Sequence, residues 1–157
     1  MKWTVQQYGY YGPVTTAEPS SVFIDNPFLC TSSTLDIVGI NAHSYFDPYS
    51  TPATCGSFVV NQISITKNAC GGKSVFVTEA GFPHAGITNG GNTPSYDNQR
   101  IALTSLFQAT KGYVTFFTFR DGSCLLSTVA NVDYWKDPGP YGVEQSWGII
   151  AGGVDFL

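Results

Sequence analysis

Glu79 is the residue of this sequence best placed to do chemistry, because it ends an apolar run and precedes a turn. Residues 75–77 form a β-branched and aromatic run typical of a strand covered on both faces in a parallel sheet. Gly81 and Pro83 then end the run. In folds built from parallel strands and crossover helices, ligands bind at the carboxyl ends of the strands. Glu79 is therefore either a catalytic side chain, or a turn cap or solvated ion-pair partner.

The composition favours an extracellular protein with an uncharged ligand. Only 11% of the 157 residues are charged, against about 25% in an average soluble protein, while 15% are aromatic and 43% hydrophobic. Seven Lys plus Arg face eleven Asp plus Glu, and the sequence pI is near 4.8. We expect no nucleic-acid partner, because no basic face is available for a phosphate backbone.

The four cysteines suggest an oxidising compartment. Cys30, Cys55, Cys70 and Cys124 lack the paired spacing and the His ligands of a zinc site. They predict two disulfides with three possible connectivities, the alternative being buried free thiols in a cytosolic enzyme. We predict neither a metal nor a cofactor.

No apolar run is long enough to span a membrane, and the first 13 residues lack the apolar core of a signal peptide. The composition nevertheless looks secreted, so we expect that an amino-terminal part is missing.

The boundary residues and apolar runs along the chain predict alternating strands and helices. Helix boundaries are indicated by Thr-Pro at 51–52 with Gly at 71–72, and by Thr-Pro at 93–94 with Gly112. In the second helix, residues at helical spacing are predicted to cover the sheet: Ala102, Leu103, Leu106 and Phe107. The strand candidates are residues 13–17, 37–42, 76–79 and 113–119. About four βα units follow, with a parallel sheet and helices outside it.

Two architectures share this pattern. A doubly wound nucleotide-binding sheet would carry a glycine-rich phosphate loop after its first strand, and no such motif follows a strand here. The glycines at 90–91 are assigned to a flexible loop. A (β/α)8 barrel needs eight units and about 250 residues, and this chain supplies roughly half of them.

Several motifs in order resemble family 17 of the glycoside hydrolases, and most closely its fungal cell-wall β-1,3-glucanases and glucanosyltransferases. The matching strings are residues 36–46, 77–83, 134–136 and 142–148. The resemblance implies the fold class α/β, as the C-terminal half, about four βα units, of a TIM (β/α)8 barrel. Residues 1–157 would then be a partial glycoside hydrolase domain whose N-terminal half is missing.

The resemblance makes Glu79 the nucleophile of a retaining enzyme that acts on β-1,3-glucan, as an endo-glucanase or glucanosyltransferase of cell walls. Such a mechanism uses two carboxyls about 5 Å apart. The family's acid/base residue is the Glu of an Asn-Glu pair, and no such dipeptide occurs in these residues. Because this residue is missing, we expect the chain alone to be inactive. The resemblance also implies an extracellular or cell-wall location.

The resemblance also implies contacts with the sugar chain. Alternatives are packing for Tyr45 and Phe46, a structural role for His43 or Glu144, and a turn cap for Glu18. The full predicted set is Asn41, His43, Tyr45, Phe46, Glu18, Asp121, Trp135, Lys136 and Glu144. In the family an acidic strand end runs almost directly into Trp-Lys, whereas residues 122–134 separate Asp121 from Trp135 here, so that loop is expected to be displaced.

A half-barrel leaves strand edges that closure would remove, so we expect self-association or pairing with another half-barrel. The competing function is a non-catalytic glucan-binding or wall-structural module in which Glu79 does no chemistry. A third possibility is a cytosolic βα enzyme of unrelated chemistry, whose thiols would be reduced.

Overall fold

The computed structural model describes residues 2–33, 35–121, 139–143 and 145–149. They form an α/β arrangement in which three parallel strands pair in the order β1-β2-β3. The strands are β1 (Ala17–Pro19), β2 (Val38–Asn41) and β3 (Val75–Glu79). The helices are α1 (Lys2–Gln7), α2 (Ser20–Asp25), α3 (Phe28–Thr31), α4 (Cys55–Ala69) and α5 (Tyr96–Thr110), with 3-10 turns at Ser44–Phe46, Pro52–Thr54 and Pro140–Gly142.

The sheet confirms two of the four predicted strands closely. The first strand begins later than predicted, although residues 13–16 already run beside β2, where the Gly39 amide donates to the Thr16 carbonyl at 3.2 Å. The fourth prediction, residues 113–119, is wrong as a strand. The segment nevertheless runs beside the end of β3, with a parallel bridge between Ala80 and Phe116. The Thr115 amide donates to the Val77 carbonyl at 3.2 Å, and the Phe117 amide donates to the Ala80 carbonyl at 2.9 Å.

Helix α4 and the turn before it begin and end at the predicted boundary residues. Thr51 caps the turn that precedes it through a reciprocal capping box with Thr54, and Gly71 lies beyond its end at a φ of +64°. Gly56 allows α4 to approach α5 closely, because a Cβ there would lie 2.2 Å from the carbonyl oxygen of Ser105. The contact places both long helices against the same side of the sheet.

Helix α5 begins at a different cap from the one predicted. Ser95, rather than Thr93, is the N-cap, and its hydroxyl accepts from the Asn98 amide at 3.1 Å. The face prediction holds in part. Ala102 and Leu106 are fully buried, whereas Leu103 is half-buried and Phe107 is 55% exposed. Leu103 and Phe107 line a groove between α5 and the residues Phe116 and Ile149.

A disulfide fixes the end of α4 to α3. Cys30 and Cys70 form the bridge, with 5.2 Å between their Cα atoms. Cys55 is buried and unbonded, and burial raises the pKa of its thiol, against the opposing effect of a hydrogen bond with Ser44. Of the two predicted bridges one is therefore found, and Cys124 lies outside the described residues.

The two sides of the sheet are covered unequally. On the side that faces α4 and α5, which we call the covered side, Val38, Ile40 and Val77 are at most 1% exposed. The opposite side, which we call the open side, carries Ala17, Gly39 and Phe76, which pair with one another across the three strands. Phe76 is 45% exposed there. No helix among the described residues has the length and apolar character needed to cross a membrane.

Candidate active site

A β-bulge in β3 sets the direction of the Glu79 side chain. Ile40 pairs with Val77, and the next residue, Asn41, pairs with Glu79, so Thr78 has no partner in the ladder. Side chains alternate along a strand, and without the extra residue Glu79 would follow Val77 onto the covered side. The bulge instead brings the carboxylate to the open side, next to Asn41.

Thr78 uses its side chain to hold Asn41. Its hydroxyl lies 2.7 Å from the Asn41 Oδ1 and 3.0 Å from the carbonyl oxygen of Ile40. Because the hydroxyl donates to Oδ1, the amide nitrogen of Asn41 keeps its donors for other partners. Asn41 and Glu79 both line the same cavity.

His43 lies beside the carboxylate of Glu79. Its Nε2 is 3.7 Å from the Glu79 Oε2, which is an ion-pair distance but too long for a hydrogen bond. The imidazole side chain is 14% exposed and that of Glu79 38%. Trp147 and Phe117 meet the imidazole edge to face, with ring centroids at 4.8 Å and 5.8 Å. Nε2 is therefore the ring nitrogen that faces Glu79. The other ring nitrogen, Nδ1, is buried and has no hydrogen-bond partner among the described residues.

The cavity around Glu79 has a volume of about 530 Å³ and two chemically different walls. The aromatic wall consists of Phe46, Phe117 and Trp147, and Phe46 leaves 39% of its surface exposed. The polar wall consists of Ser20, Ser21 and Gln62. Aromatic faces stack against apolar surfaces and hydroxyl and amide groups form hydrogen bonds, so the cavity suits a ligand with both apolar faces and hydroxyls, as a sugar ring has.

Tyr45 does not reach the cavity, so its predicted stacking on a sugar is wrong. The residue is fully buried, its hydroxyl donates to the carbonyl of Ile87, and its ring meets Phe46 edge to face at 5.2 Å. Burial raises the pKa of its phenol, and the nearby Tyr141 adds to the effect. Tyr45 thus supports the aromatic wall from behind.

Asp121 and Glu18 also lie away from the cavity wall. Both carboxylate oxygens of Asp121 are 3.0 Å from the Nε2 of His84, and one accepts from the Gly148 amide at 2.7 Å. His84 stacks on Tyr96 with ring centroids 4.4 Å apart, which gives it partners that the sequence did not indicate. Glu18 pairs with Ile40 in the sheet, and residues so paired point to the same side, so Glu18 follows Ile40 towards the covered side.

Three predicted contacts, Trp135, Lys136 and Glu144, lie outside the described residues. Conversely, the structure adds residues to the cavity that the sequence prediction omitted: Ser20, Ser21, Gln62, Phe117 and Trp147. Trp147 lies in the string 142–148 that resembles the family, so the sequence did mark it. The other four carried no signal beyond residue type, because their distance from Glu79 depends on tertiary packing. Within the described ranges, no group of three or more His, Cys, Asp or Glu side chains could hold a metal ion.

The parallel sheet presents a carboxylate and an amide at its strand ends to a cavity lined by aromatic rings, which defines an α/β protein with a candidate site at the carboxyl edge of its sheet. The chain belongs to the BtgE/BtgC glycoside hydrolase domain family, whose model matches residues 1–148. This confirms the predicted membership among the glycoside hydrolases.

Curated relatives include proteins of fungal origin. The chain is 36% identical over 150 residues to "Probable beta-glucosidase btgE" of Aspergillus clavatus, covering 95% of this chain and 24% of the relative. It is 38% identical over 144 residues to "Cell surface mannoprotein MP65" of Candida albicans and to "Probable family 17 glucosidase SCW10" of Saccharomyces cerevisiae, covering 91% of this chain and 35% and 34% of theirs. The chain thus spans about a quarter to a third of these relatives.

The fold is similar to that of a solved enzyme. The glycoside hydrolase family 17 β-1,3-glucanosyltransferase from Rhizomucor miehei superposes with a TM-score of 0.70 at 22% identity, over 95% of this chain and 49% of that enzyme. An active-site mutant of the same enzyme in complex with laminaritriose gives a TM-score of 0.67 at 19% identity, over 96% of this chain and 50% of the mutant.

Proposed function

We propose that this chain carries the nucleophile of a retaining glycoside hydrolase that acts on β-1,3-glucan at the fungal cell surface. The observation that carries the proposal is the bulge at Thr78, which turns Glu79 towards the open side and into the cavity. The names of the relatives, which include a cell surface mannoprotein and a family 17 glucosidase, support a glucosidic substrate and the location. The similar fold of the Rhizomucor miehei β-1,3-glucanosyltransferase supports β-1,3-glucan as that substrate.

The chemistry assigns one role to each side chain at the cavity. The Glu79 carboxylate attacks the anomeric carbon, the glycosidic C–O bond breaks, and the departing sugar oxygen takes a proton from a general acid. The covalent glycosyl ester is then cleaved by water or by another sugar hydroxyl. The amide donors of Asn41 and the Nε2 of His43 bind hydroxyls of the reacting sugar, while Phe46 packs against a ring face.

The general acid must come from another carboxyl group. The sequence has only three glutamates, Glu18, Glu79 and Glu144, and neither of the other two follows an asparagine. Phe76 leaves an exposed apolar ring on the open side, and β1 pairs only with β2 among the described residues, so its outer edge is suited to the remaining strands of a barrel. We infer that residues 1–157 are one half of a (β/α)8 barrel and that turnover requires its other half.

A non-catalytic glucan-binding module is the second candidate. The absence of an Asn-Glu pair from these residues favours it, since one carboxylate cannot perform both steps. In that case the cavity binds the sugar chain and Glu79 serves as a hydrogen-bond acceptor.

Covalent labelling with 2-deoxy-2-fluoro-β-laminaribiosyl fluoride separates the two candidates. Fluoride leaves without a proton from a general acid, and the fluorine at C2 slows hydrolysis of the ester, so a nucleophile reacts even without its acid/base partner. We expect the intact chain to gain the mass of one fluorinated disaccharide, on the peptide that contains Glu79. Glu79→Gln should take no label, and Glu18→Gln, a matched control on β1, should be labelled like the wild type.

A chain that binds laminaritriose but takes no label would be a binding module. Failure to bind laminaritriose together with failure to take the label would contradict the proposed function as a whole.

A further inference from the structure

A tight turn at residues 89–92, which we call the docked turn, packs against a second turn at residues 44–50, which we call the Phe46 turn. Asn89 and Asn92 close the docked turn through reciprocal backbone hydrogen bonds of 3.0 Å and 2.9 Å. The two residues are 7% and 0% exposed, although both carry polar amide groups. Buried amides need hydrogen-bond partners, and the Phe46 turn supplies them.

The two side-chain amides hold the backbone on both sides of Phe46. The Nδ2 of Asn89 donates to the carbonyl of Tyr45 at 2.9 Å. The Nδ2 of Asn92 donates to the carbonyl of Asp47 at 2.8 Å. Because these two carbonyl groups precede and follow Phe46 in the chain, the backbone that directs its side chain is held by residues outside the Phe46 turn.

The two glycines of the docked turn allow its close approach. They lie in a loop, as predicted, but this loop is packed against the protein. Gly90 has a φ of +57°, and a Cβ there would lie 2.1 Å from the carbonyl oxygen of Pro48. The Gly91 amide donates to the same carbonyl at 3.2 Å. A larger residue at position 90 would therefore push the docked turn away from the Phe46 turn.

The docked turn reaches the site only through the residue that it holds, because neither Asn89 nor Asn92 lines the cavity. Phe46 belongs to the aromatic wall, and its ring centroid is 5.9 Å from that of Trp147. Phe46 is 39% exposed, so its neighbours do not enclose the ring. Its backbone must therefore supply the remaining constraint on the direction of the ring.

We propose that the docked turn is a positioning element that fixes Phe46 for stacking on the sugar ring that reacts at Glu79. The inference rests on the proposed function. It gives Asn89, Gly90 and Asn92 an effect on binding although none of them lines the cavity.

Gly90→Ala tests the proposal against a matched control. The new Cβ would collide with Pro48, so the affinity of the 157-residue chain for laminaritriose, measured by calorimetric titration, should fall about 3- to 10-fold, as expected when one aromatic contact is lost. Gly71→Ala imposes similar backbone strain at a φ of +64°, but its Cβ would lie 3.9 Å from its nearest neighbour, a methyl group of Thr31. It should lower the melting temperature and leave the affinity unchanged. Equal losses of affinity in the two variants would assign the effect to general destabilisation and overturn the proposal.

A Phe46→Ala background separates positioning from a merely structural role. If the docked turn acts through Phe46, adding Gly90→Ala to Phe46→Ala should change the affinity by less than about 2-fold, because two residues that act through one contact are not additive. Fully additive losses would mean that the docked turn does not act through Phe46.

Asn89→Ser keeps the proposal testable if Gly90→Ala does not fold. It removes the hydrogen bond to the Tyr45 carbonyl and should weaken laminaritriose about 2- to 5-fold. Asn98→Ser is the matched control, because it removes an amide-to-carbonyl hydrogen bond of 2.8 Å to Thr93 at the start of α5, and it should bind like the wild type.

The outcomes distinguish the two proposals. If wild type binds laminaritriose and the variants at Asn89 and Gly90 bind it equally well, the docked turn has no positioning role and the proposed function stands. If wild type binds no laminaritriose and takes no label at Glu79, both proposals fail.

Discussion

Two neighbouring residues of β3 show how different the two sides of this sheet are. Val77 is 1% exposed beneath the helices, and Phe76, one residue earlier, is 45% exposed on the open side. The covered side carries the packed helices and the Cys30–Cys70 bridge, whereas Glu79 points to the open side, into a cavity that residues of α2 and α4 help to line. The comparison teaches that stability and chemistry are separated in this chain, and substitutions on the two sides should affect different measurements.

The largest expected effect falls on the open side. In a complete barrel, made by joining this chain to the part of the Rhizomucor miehei enzyme that it does not cover, Glu79→Gln should lower kcat/KM on β-1,3-glucan by at least about 10³-fold, because the nucleophile is lost. The melting temperature should not fall, since the Glu79 side chain is partly exposed and forms no hydrogen bond among the described residues. Reducing-sugar release and calorimetry provide the two measurements.

Glu18→Gln is the control for that experiment. It replaces a carboxylate of the same sheet that does not line the cavity, and it should keep kcat/KM within a few-fold of the unmodified barrel. Equal losses for the two variants would remove the distinction between Glu79 and any other strand-end acid.

The second effect falls on the covered side. Replacing both Cys30 and Cys70 by Ala should lower the free energy of unfolding by about 2–4 kcal/mol, because the bridge closes a loop between residues 40 apart. Urea denaturation of the 157-residue chain measures the change. Reductant should destabilise the wild type and leave the double variant unchanged; a reductant effect in both would mean that another cysteine supplies the stability.

The third prediction compares the two neighbours within one strand. Val77→Ala should cost about 1–3 kcal/mol, because it removes two buried methyl groups and leaves a cavity. Phe76→Thr keeps a strand-forming residue on the open side and should change the stability of the 157-residue chain by less than about 0.5–1 kcal/mol.

In the joined barrel Phe76→Thr should become clearly destabilising, because the added half covers the ring. An unchanged effect there would argue against barrel closure over the open side.

The smallest effect concerns pH. The Lys2 ammonium and the Val14 amide, which both donate to the Asp36 carboxylate, hold the pKa of that carboxyl below its usual 3.8. A lowered folded-state pKa means that the contribution to stability is fully present above the unfolded pKa and is lost as the pH falls through the folded value. Asp36→Asn should therefore flatten the acid limb of the stability curve below about pH 4, where acid denaturation is followed by circular dichroism.

Helix caps and apolar runs, which depend on a few neighbouring residues, predicted the positions of α4 and β3. Thr51-Pro52 and Gly71 mark α4 because capping and left-handed backbone are properties of single residues. The run at 75–77 predicted β3 because it is apolar and β-branched. The same pattern placed Glu79 at the carboxyl end of that strand, and β3 does end at Glu79.

Tertiary packing decides which residues meet at the cavity, so the sequence predictions of these contacts were wrong or were not made. The bulge at Thr78 is a property of the register with β2, which no short pattern records. Tyr45 and Phe46 are adjacent aromatic residues, yet one is buried and the other lines the cavity. The polar wall unites two helices more than 30 residues apart in the chain, and the His84–Asp121 pair joins residues separated by 37 positions.

A crystal structure of the Glu79→Gln variant with laminaritriose tests the central claim most directly. We predict that one anomeric carbon lies about 3–3.5 Å from the side chain of residue 79, as attack requires, with one sugar ring against Phe46. A trisaccharide bound away from the open side, or held in the cavity with every anomeric carbon out of reach of residue 79, would contradict the account.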